Sequence, residues 1–388
     1  MLPRWTLRLG DHGMILFSSL AILSVMLMIG VGARVMLQND YRVLTNLRGS
    51  SEAFYLAVAG LAWSKYKIAH TDSFPPTLVA HSEDFAGGTF AVTFPTATPI
   101  DPLSAKIVAR STGSIGASAH TVESQLRKTY DLADGAISLR GNGSQVVFGT
   151  GAVLASGRDH DPATGAPNTA AKARPALTAG DVALLGLING AASTLPPDSL
   201  ESDGGTATSA VSEYLPGSAI NQMVGSLCGQ ANATLSTVPP TGALILENRS
   251  WGSRSAPELH CIDGLVDPGD GVTLAGSTSG NGILIVKNAD LIVTGSLRWE
   301  GLIIVTGAEV SFKVTGSSSK DVFGGLIVNE TGSPTGKAIL DIQGNLRLLF
   351  SRQAFSQSAQ LIGASTLNDN YAHLPITVKQ DYWRAITP

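Results

Sequence analysis

The twenty residues from Met14 to Ala33, MILFSSLAILSVMLMIGVGA, contain no charged side chain. At about 1.5 Å of rise per residue they cover the roughly 30 Å hydrocarbon thickness of a bilayer, so the pattern predicts a helix able to span one. Beyond Arg34 the pattern changes. Val35, Leu37, Val43, Leu44, Leu47, Phe54, Leu56, Val58, Leu61 and Trp63 recur at spacings that suit an amphipathic helix. Gly49 and Gly60 weaken this helix, and Pro75 and Pro76 end it. A continuous helix from about residue 14 to 70 would reach roughly 80 Å.

After the prolines, GGTFAVTF (87–94), AKIVARSTGSIG (105–116) and HTVESQLRKTYDL (120–132) alternate apolar and polar residues between turn formers. They predict consecutive antiparallel strands, with two more short strands in 135–157. From 158 to 241 the chain is rich in Ala, Pro, Gly, Ser and Thr, with helical candidates at 181–188 and 218–228. This composition reads as a flexible connector. In 272–350, ILIV (283–286), LIIV (302–305) and LIV (326–328) recur about 19 and 23 residues apart, with shorter apolar runs between them. A repeat near 20 residues suits a parallel β-solenoid or layered sheet, in which each rung buries its apolar face only by stacking on its neighbours.

The expected fold class is therefore α+β: a long N-terminal hydrophobic helix with a small antiparallel sheet, then a β-rich, solenoid-like domain. The expected boundaries are a leader at 1–13, a transmembrane stem helix at 14–75, a β head at 76–157, a connector at 158–241 and a β-rich domain at 242–388.

Charge adds an orientation. Arg4 and Arg8 precede the apolar run with one acid, Asp11, which puts the leader in the cytoplasm and everything after Arg34 outside. A cleaved secretory signal is the alternative, but the run is longer than a signal core. The formal net charge of −4, with 14% charged residues, offers no basic footprint for nucleic acid. Forty-three glycines suit a turn-rich β protein. In an oxidising compartment Cys228 and Cys261 would pair, closing a loop of about 30 residues worth roughly 3 to 4 kcal/mol. Two buried thiols are the alternative.

Catalytic patterns are missing from the sequence. It has no G-x-S-x-G elbow, H-E-x-x-H pair or C-x-x-C, and Gly336-Lys337 runs into Ala338 where a phosphate loop needs a hydroxyl. The seven histidines are scattered. Arg158-Asp159-His160-Asp161-Pro162 reads as a solvated turn before it reads as a metal site, and Asp263, Asp267 and Asp270 lack EF-hand spacing. The expectation is a non-enzyme with no cofactor and no metal.

The leader ending at Gly13, the apolar run directly after it and LTNLRGSSEAFYLAVAGLAWSKYK together resemble the N-terminal region of PilX-type minor pilins, relatives of the type II secretion pseudopilins. Asn46, Arg48, Ala53, Phe54, Ala57, Ala59 and Gly60 match the family's closing run, while Val58 stands where it has glutamate. The resemblance implies cleavage by prepilin peptidase after Gly13, a methylated Met14 as the first mature residue, and Phe54 and Tyr55 packing the stem against the head. Asp11 and His12 depart from the basic residues the family carries before that glycine. Ser18 would hold the fifth mature position, where major pilins carry a glutamate that neutralises the buried N-terminus. Its absence leans toward a priming or tip role. NGILIVKNADLIVTGSLRWEGLIIVTG is also similar to a C-terminal module joined to such N-termini. The implied partners are other pilin-like subunits through the N-terminal helix, prepilin peptidase and the inner membrane. The implied location is that membrane and, after assembly, a pilus or the cell surface. A signal-anchored surface solenoid that binds glycan or a protein partner is the alternative function.

Overall fold

The computed structural model describes residues 11–386 apart from 142–144, 204–207, 231, 240–242, 265–270 and 333–336, and only the backbone of 11–15. Helix α1, Asp11–Ala69, is a single rod of 59 residues, about 88 Å long at 1.5 Å per residue. Just past its end Lys128 donates from its ammonium to the Thr71 carbonyl, a cation placed where the helix dipole favours one.

Four strands follow, His81–Phe85, Gly88–Asp101, Ser104–Ile115 and Ser118–Tyr130. They form an antiparallel meander on the second half of α1. The inner positions Ile107, Ala109, Val122 and Leu126 meet Ala57, Leu61 and Ile68 of the helix, and Phe90 and Val92 meet Leu56. Helix and sheet come unusually close at two glycines. A Cβ on Gly60 would lie 2.1 Å from Ser111 Oγ, and one on Gly113 would lie 2.1 Å from the Ala53 carbonyl. Gly60 thus costs the helix intrinsic stability but allows the docking that holds it. The fifth strand of this sheet, Ile376–Ile386, comes from the far end of the chain and pairs antiparallel with Ser118–Tyr130.

The rest is a three-faced parallel coil. One face runs, in order, Ala233–Thr237, Glu258–Asp263, Ser277–Lys287, Ser296–Gly307, Lys320–Glu330, Ile137–Gly141, Leu177–Ala179 and Ser209–Val211. The second runs Leu244–Glu247, Gly271–Ala275, Asp290–Val293, Phe312–Val314, Ala338–Ile342 and Gln145–Phe148. The third is built from Ser250–Trp251, the first halves of the three long strands, Leu346–Leu349, Val153–Ser156 and Leu200–Glu201. The long strands turn the corner between faces at Gly282, Gly301 and Gly324, which stand in register with φ of 128°, 138° and 134°. A Cβ there would fall within 2.1, 2.0 and 1.9 Å of the carbonyl on the rung below, so only glycine fits.

The repeat read from the sequence is the register of the first face: Ile283 lies beside Leu302 and Ile303 beside Leu326, offsets of 19 and 23 residues. Its four-residue runs do not alternate because both sides are covered. Helices α3 (Gly217–Cys228) and α4 (Arg352–Ala359) lie on the outside of the face, and α5 (Ala364–Asn370) lies against α3. The middle strands of the second face are not packed under a helix among the described residues, and they do alternate: Val272, Leu291, Phe312 and Leu340 are buried while Thr273, Ile292, Lys313 and Asp341 are half-exposed. Each Leu, Ile or Val sealed in this way contributes about 1.5 to 3 kcal/mol.

Three expected boundaries move, the first being that Ile376–Ile386, expected in the 242–388 domain, completes the antiparallel sheet of the head. Ile137–Gly141, Gln145–Phe148 and Val153–Ser156 belong to the coil and not to the β head, because they form a rung that stacks on residues 320–349. Residues 158–241 are not a loose connector. They supply the capping strands Leu177–Ala179 and Ser209–Val211 and helix α2 (Val182–Ala192), which packs beside Gln145–Phe148 at that end. Then α3 carries the chain along the first face toward Ala233–Thr237 at the opposite end, from which the remaining rungs climb back. Leu177, Leu184, Ile188, Ile220 and Leu227 are all buried.

Candidate assembly interface

The first half of α1 is not built into the head: every described side chain from Leu16 to Arg48 is exposed. The helix is long and apolar enough to cross a membrane. Its small polar residues do not disturb that surface, since Ser19, Ser24 and Thr45 donate their hydroxyls to the carbonyls of Leu16, Leu20 and Tyr41 in the same helix at 2.9, 2.8 and 2.8 Å. A continuous exposed apolar surface of this size is a mark of contact with lipid or with other proteins.

The head begins where Gly49 meets Ser118 and the Ser50 hydroxyl reaches His120 Nε2 at 2.7 Å. From there a buried stripe runs Ala53, Leu56, Ala57, Gly60, Leu61, Ser64, Ile68, at helical spacing. Phe54, at the margin of the stripe, stands edge-on to Trp383 of the returning strand at 6.0 Å and to His120 at 6.4 Å. Tyr55 does not pack against the head. It is 69% exposed, because the next residue along a helix is turned about 100° away from its neighbour.

Gly13 and Met14 lie in the first turns of α1, and nothing of their side chains falls within the described residues. Cys228, the last residue of α3, is bonded to Cys261 in the second rung of the first face, with Cα atoms 5.7 Å apart. The pair pins the crossing helix to the end of the coil. In the Arg158–Pro162 string, His160 is buried with Nδ1 2.7 Å from the Arg158 carbonyl, Asp159 accepts from the Arg352 backbone N–H, and Asp161 closes a turn by accepting from Ala163 N–H. Asp263 is engaged by Lys287 and Asn288, while Asp267 and Asp270 lie outside the described residues. Among the described residues no three His, Cys, Asp or Glu side chains gather around a metal position.

The charged residues that tie sheet to coil could not be paired from the sequence. Asp131, fully buried, accepts from Arg174 Nη2 at 2.6 Å and Arg352 Nε at 2.9 Å. Burial pushes the neighbouring Asp159 carboxyl above its usual range. Within the sheet, Glu123 sits between Arg110 and Arg384, whose hydrogen bonds hold its carboxyl below the usual range. On the coil, burial pushes the Glu300 carboxyl up, but hydrogen bonds from Arg254 and Arg298 outweigh it and the net shift is downward. Each pair orients neighbouring elements, and none is arranged as an acid and base around a cleft.

A long N-terminal helix under a small antiparallel sheet is the pilin-like plan that the sequence resemblance implies. No protein-family profile matches the chain, and no curated protein does. Among solved structures it is similar to the competence-associated pilin ComZ from Thermus thermophilus, at 12% identity and a TM-score of 0.22 over 87% of this chain and 98% of that one. Backbones that superpose so loosely carry no argument about fold, role or partners.

Proposed function

We propose that this protein is a non-enzymatic minor-pilin-like or pseudopilin-like subunit of a type IV filament system. Its exposed stem lies in the inner membrane and packs among equivalent stems on assembly, and it carries a periplasmic or surface head of sheet and coil. The observation that carries this reading is the split character of α1, whose described side chains are all exposed along the apolar first half while its second half is built into the head. The resemblance around Gly13 and Met14 supports processing by prepilin peptidase, and the Cys228–Cys261 bridge supports an oxidising compartment. Ser18 in place of a charge-neutralising glutamate supports a priming or tip position over the repeating shaft.

Mass spectrometry of the native N-terminus tests the reading. A methylated Met14 is expected, and Gly13→Leu should leave an unprocessed protein that stays in the membrane. An intact Met1 in the wild type would favour the signal-anchored surface protein instead, and a soluble chain starting beyond Arg34 would remove the stem from the mature molecule.

A further inference from the structure

Two rows of side chains cross three neighbouring strands of the antiparallel sheet. In one, Arg110, Glu123 and Arg384 stand in register, and the central carboxylate neutralises its neighbours, 2.9 and 2.6 Å from the two guanidiniums. In the other, Lys106, Arg127 and Lys379 stand in register with no acid between them. Like charges directly opposite on adjacent strands destabilise a sheet, and the one relief is Asp381, 3.2 Å from Arg127. The next row on the same face, Ser104, Thr129 and Thr377, is entirely hydroxyl-bearing.

Arg127 and Lys379 of the cation row, with Ser104, Thr129 and Thr377 of the hydroxyl row, form one wall of a cavity of about 280 Å³ between the sheet and the coil. The opposite wall comes from α4 and the 158–172 segment, and brings Arg352, Lys172 and Ser356. Two carboxylates also line it, but Asp101 accepts from Leu103 N–H and the Ser104 hydroxyl, and Asp159 from Arg352 N–H. Neither Lys172 nor Lys379 is paired with an acid among the described residues. A volume near the lower end of the range for small-molecule pockets suits something the size of one sugar. Unpaired cations beside a row of hydroxyls suit a ligand with both negative charge and hydroxyl groups.

We propose that this junction cavity binds a hydroxylated carboxylate of the uronic-acid class, with its carboxylate on Arg127, Lys379 and Lys172 and its ring hydroxyls on Ser104, Thr129 and Thr377. The ligand is a free sugar acid or the end of an acidic polysaccharide. Lys106 continues the cation row past the cavity, where a second sugar unit of such a chain would lie. The site is independent of how the stem is processed, so the N-terminal experiment and this one fail separately. A nucleic-acid duplex is disfavoured by the small cavity and by the net charge of −4.

Titration calorimetry on the full chain in detergent, with D-glucuronate, D-glucose, acetate and a uronate trisaccharide, tests the site. Glucuronate is expected to bind at least about tenfold more tightly than glucose or acetate. Lys172→Glu with Lys379→Glu should weaken glucuronate by at least about tenfold while leaving the melting temperature unchanged. The Lys172→Arg, Lys379→Arg pair should restore binding. A trisaccharide advantage that disappears in Lys106→Glu identifies a polysaccharide end, and equal affinity for monosaccharide and trisaccharide identifies a free sugar acid. The proposal is overturned if acetate or glucose binds as well as glucuronate, if the Glu pair changes nothing, if duplex DNA displaces glucuronate, or if glucuronate does not bind at about 10 mM, tenfold above a millimolar Kd.

Discussion

Along α1 the first and second halves are treated in opposite ways: no described side chain up to Arg48 is buried, whereas from Ala53 to Ile68 every third or fourth one is. Both halves contain glycines, and the comparison shows how differently the same residue acts. Gly30 and Gly32 have nothing within 4 Å of an added Cβ. Gly60, and Gly113 opposite the helix, leave no room for one. Helicity in the second half is secured by the sheet, while the exposed first half has no such cover among the described residues. The whole head therefore hangs on a docking surface about four turns long.

The sharpest way to break this contrast is to add bulk on each side of it. In Gly113→Leu the new Cβ would fall 2.1 Å from the Ala53 carbonyl and 2.4 Å from the Ala57 nitrogen. Both contacts are backbone, so the helix must lift from the sheet. The expected loss is about 3 kcal/mol or more, seen as a lower melting temperature and new protease cleavage between α1 and the sheet. Gly30→Leu should leave the melting temperature of the head unchanged. Equal effects of the two substitutions would mean that the docking surface is not where stability resides.

How much of this could be read from the sequence divides along similar lines. The stem, the meander strands and the ILIV, LIIV and LIV rungs were legible because their period is local. The coil's extent was not. Ile137 finds its partner at Leu326 and Ser118–Tyr130 is completed by Ile376–Ile386, pairings that leave no mark in the intervening residues. Residues 158–241 read as a connector because Ala, Thr and Ser pack tightly in capping rungs as readily as they fill loops; Leu177, Ile188 and Leu227 were the available signal. The cation row escaped notice for a related reason. Lys106, Arg127 and Lys379 become neighbours only through strand register.

A smaller test uses the clamp at the end of the docked half. Burial lowers the Lys128 ammonium from its usual 10.5 to about 8. Between those values the unfolded chain keeps a proton that the folded chain has lost, so stability rises with pH from about 8 and levels off above about 10.5, by at most about 1.4 kcal/mol per pH unit. Burial also holds the Tyr130 and Tyr371 phenols above their usual 10, which acts in the opposite direction only above pH 10. Melting curves between pH 8 and 10 should therefore show a rise in the wild type that is missing from Lys128→Met. Parallel curves would mean that the ammonium is solvated and the clamp open.

The finest division falls between adjacent residues. Phe54 meets Trp383 and His120 edge-on, whereas Tyr55 touches Phe54 at 5.8 Å and otherwise faces outward. Edge-to-face aromatic pairs contribute about 0.5 to 1.5 kcal/mol beyond the area they bury, so Phe54→Ala should cost the isolated subunit about 1 to 2 kcal/mol. Tyr55→Ala should stay within about 0.5 kcal/mol, as exposed substitutions do. If stems pack side by side in a filament, the order reverses on assembly. The outward ring then meets a neighbour, and Tyr55→Ala should reduce filament incorporation of a subunit whose own melting temperature is normal. An incorporation defect that merely tracked melting temperature across both variants would mean that the outward side of α1 meets no neighbour at this level.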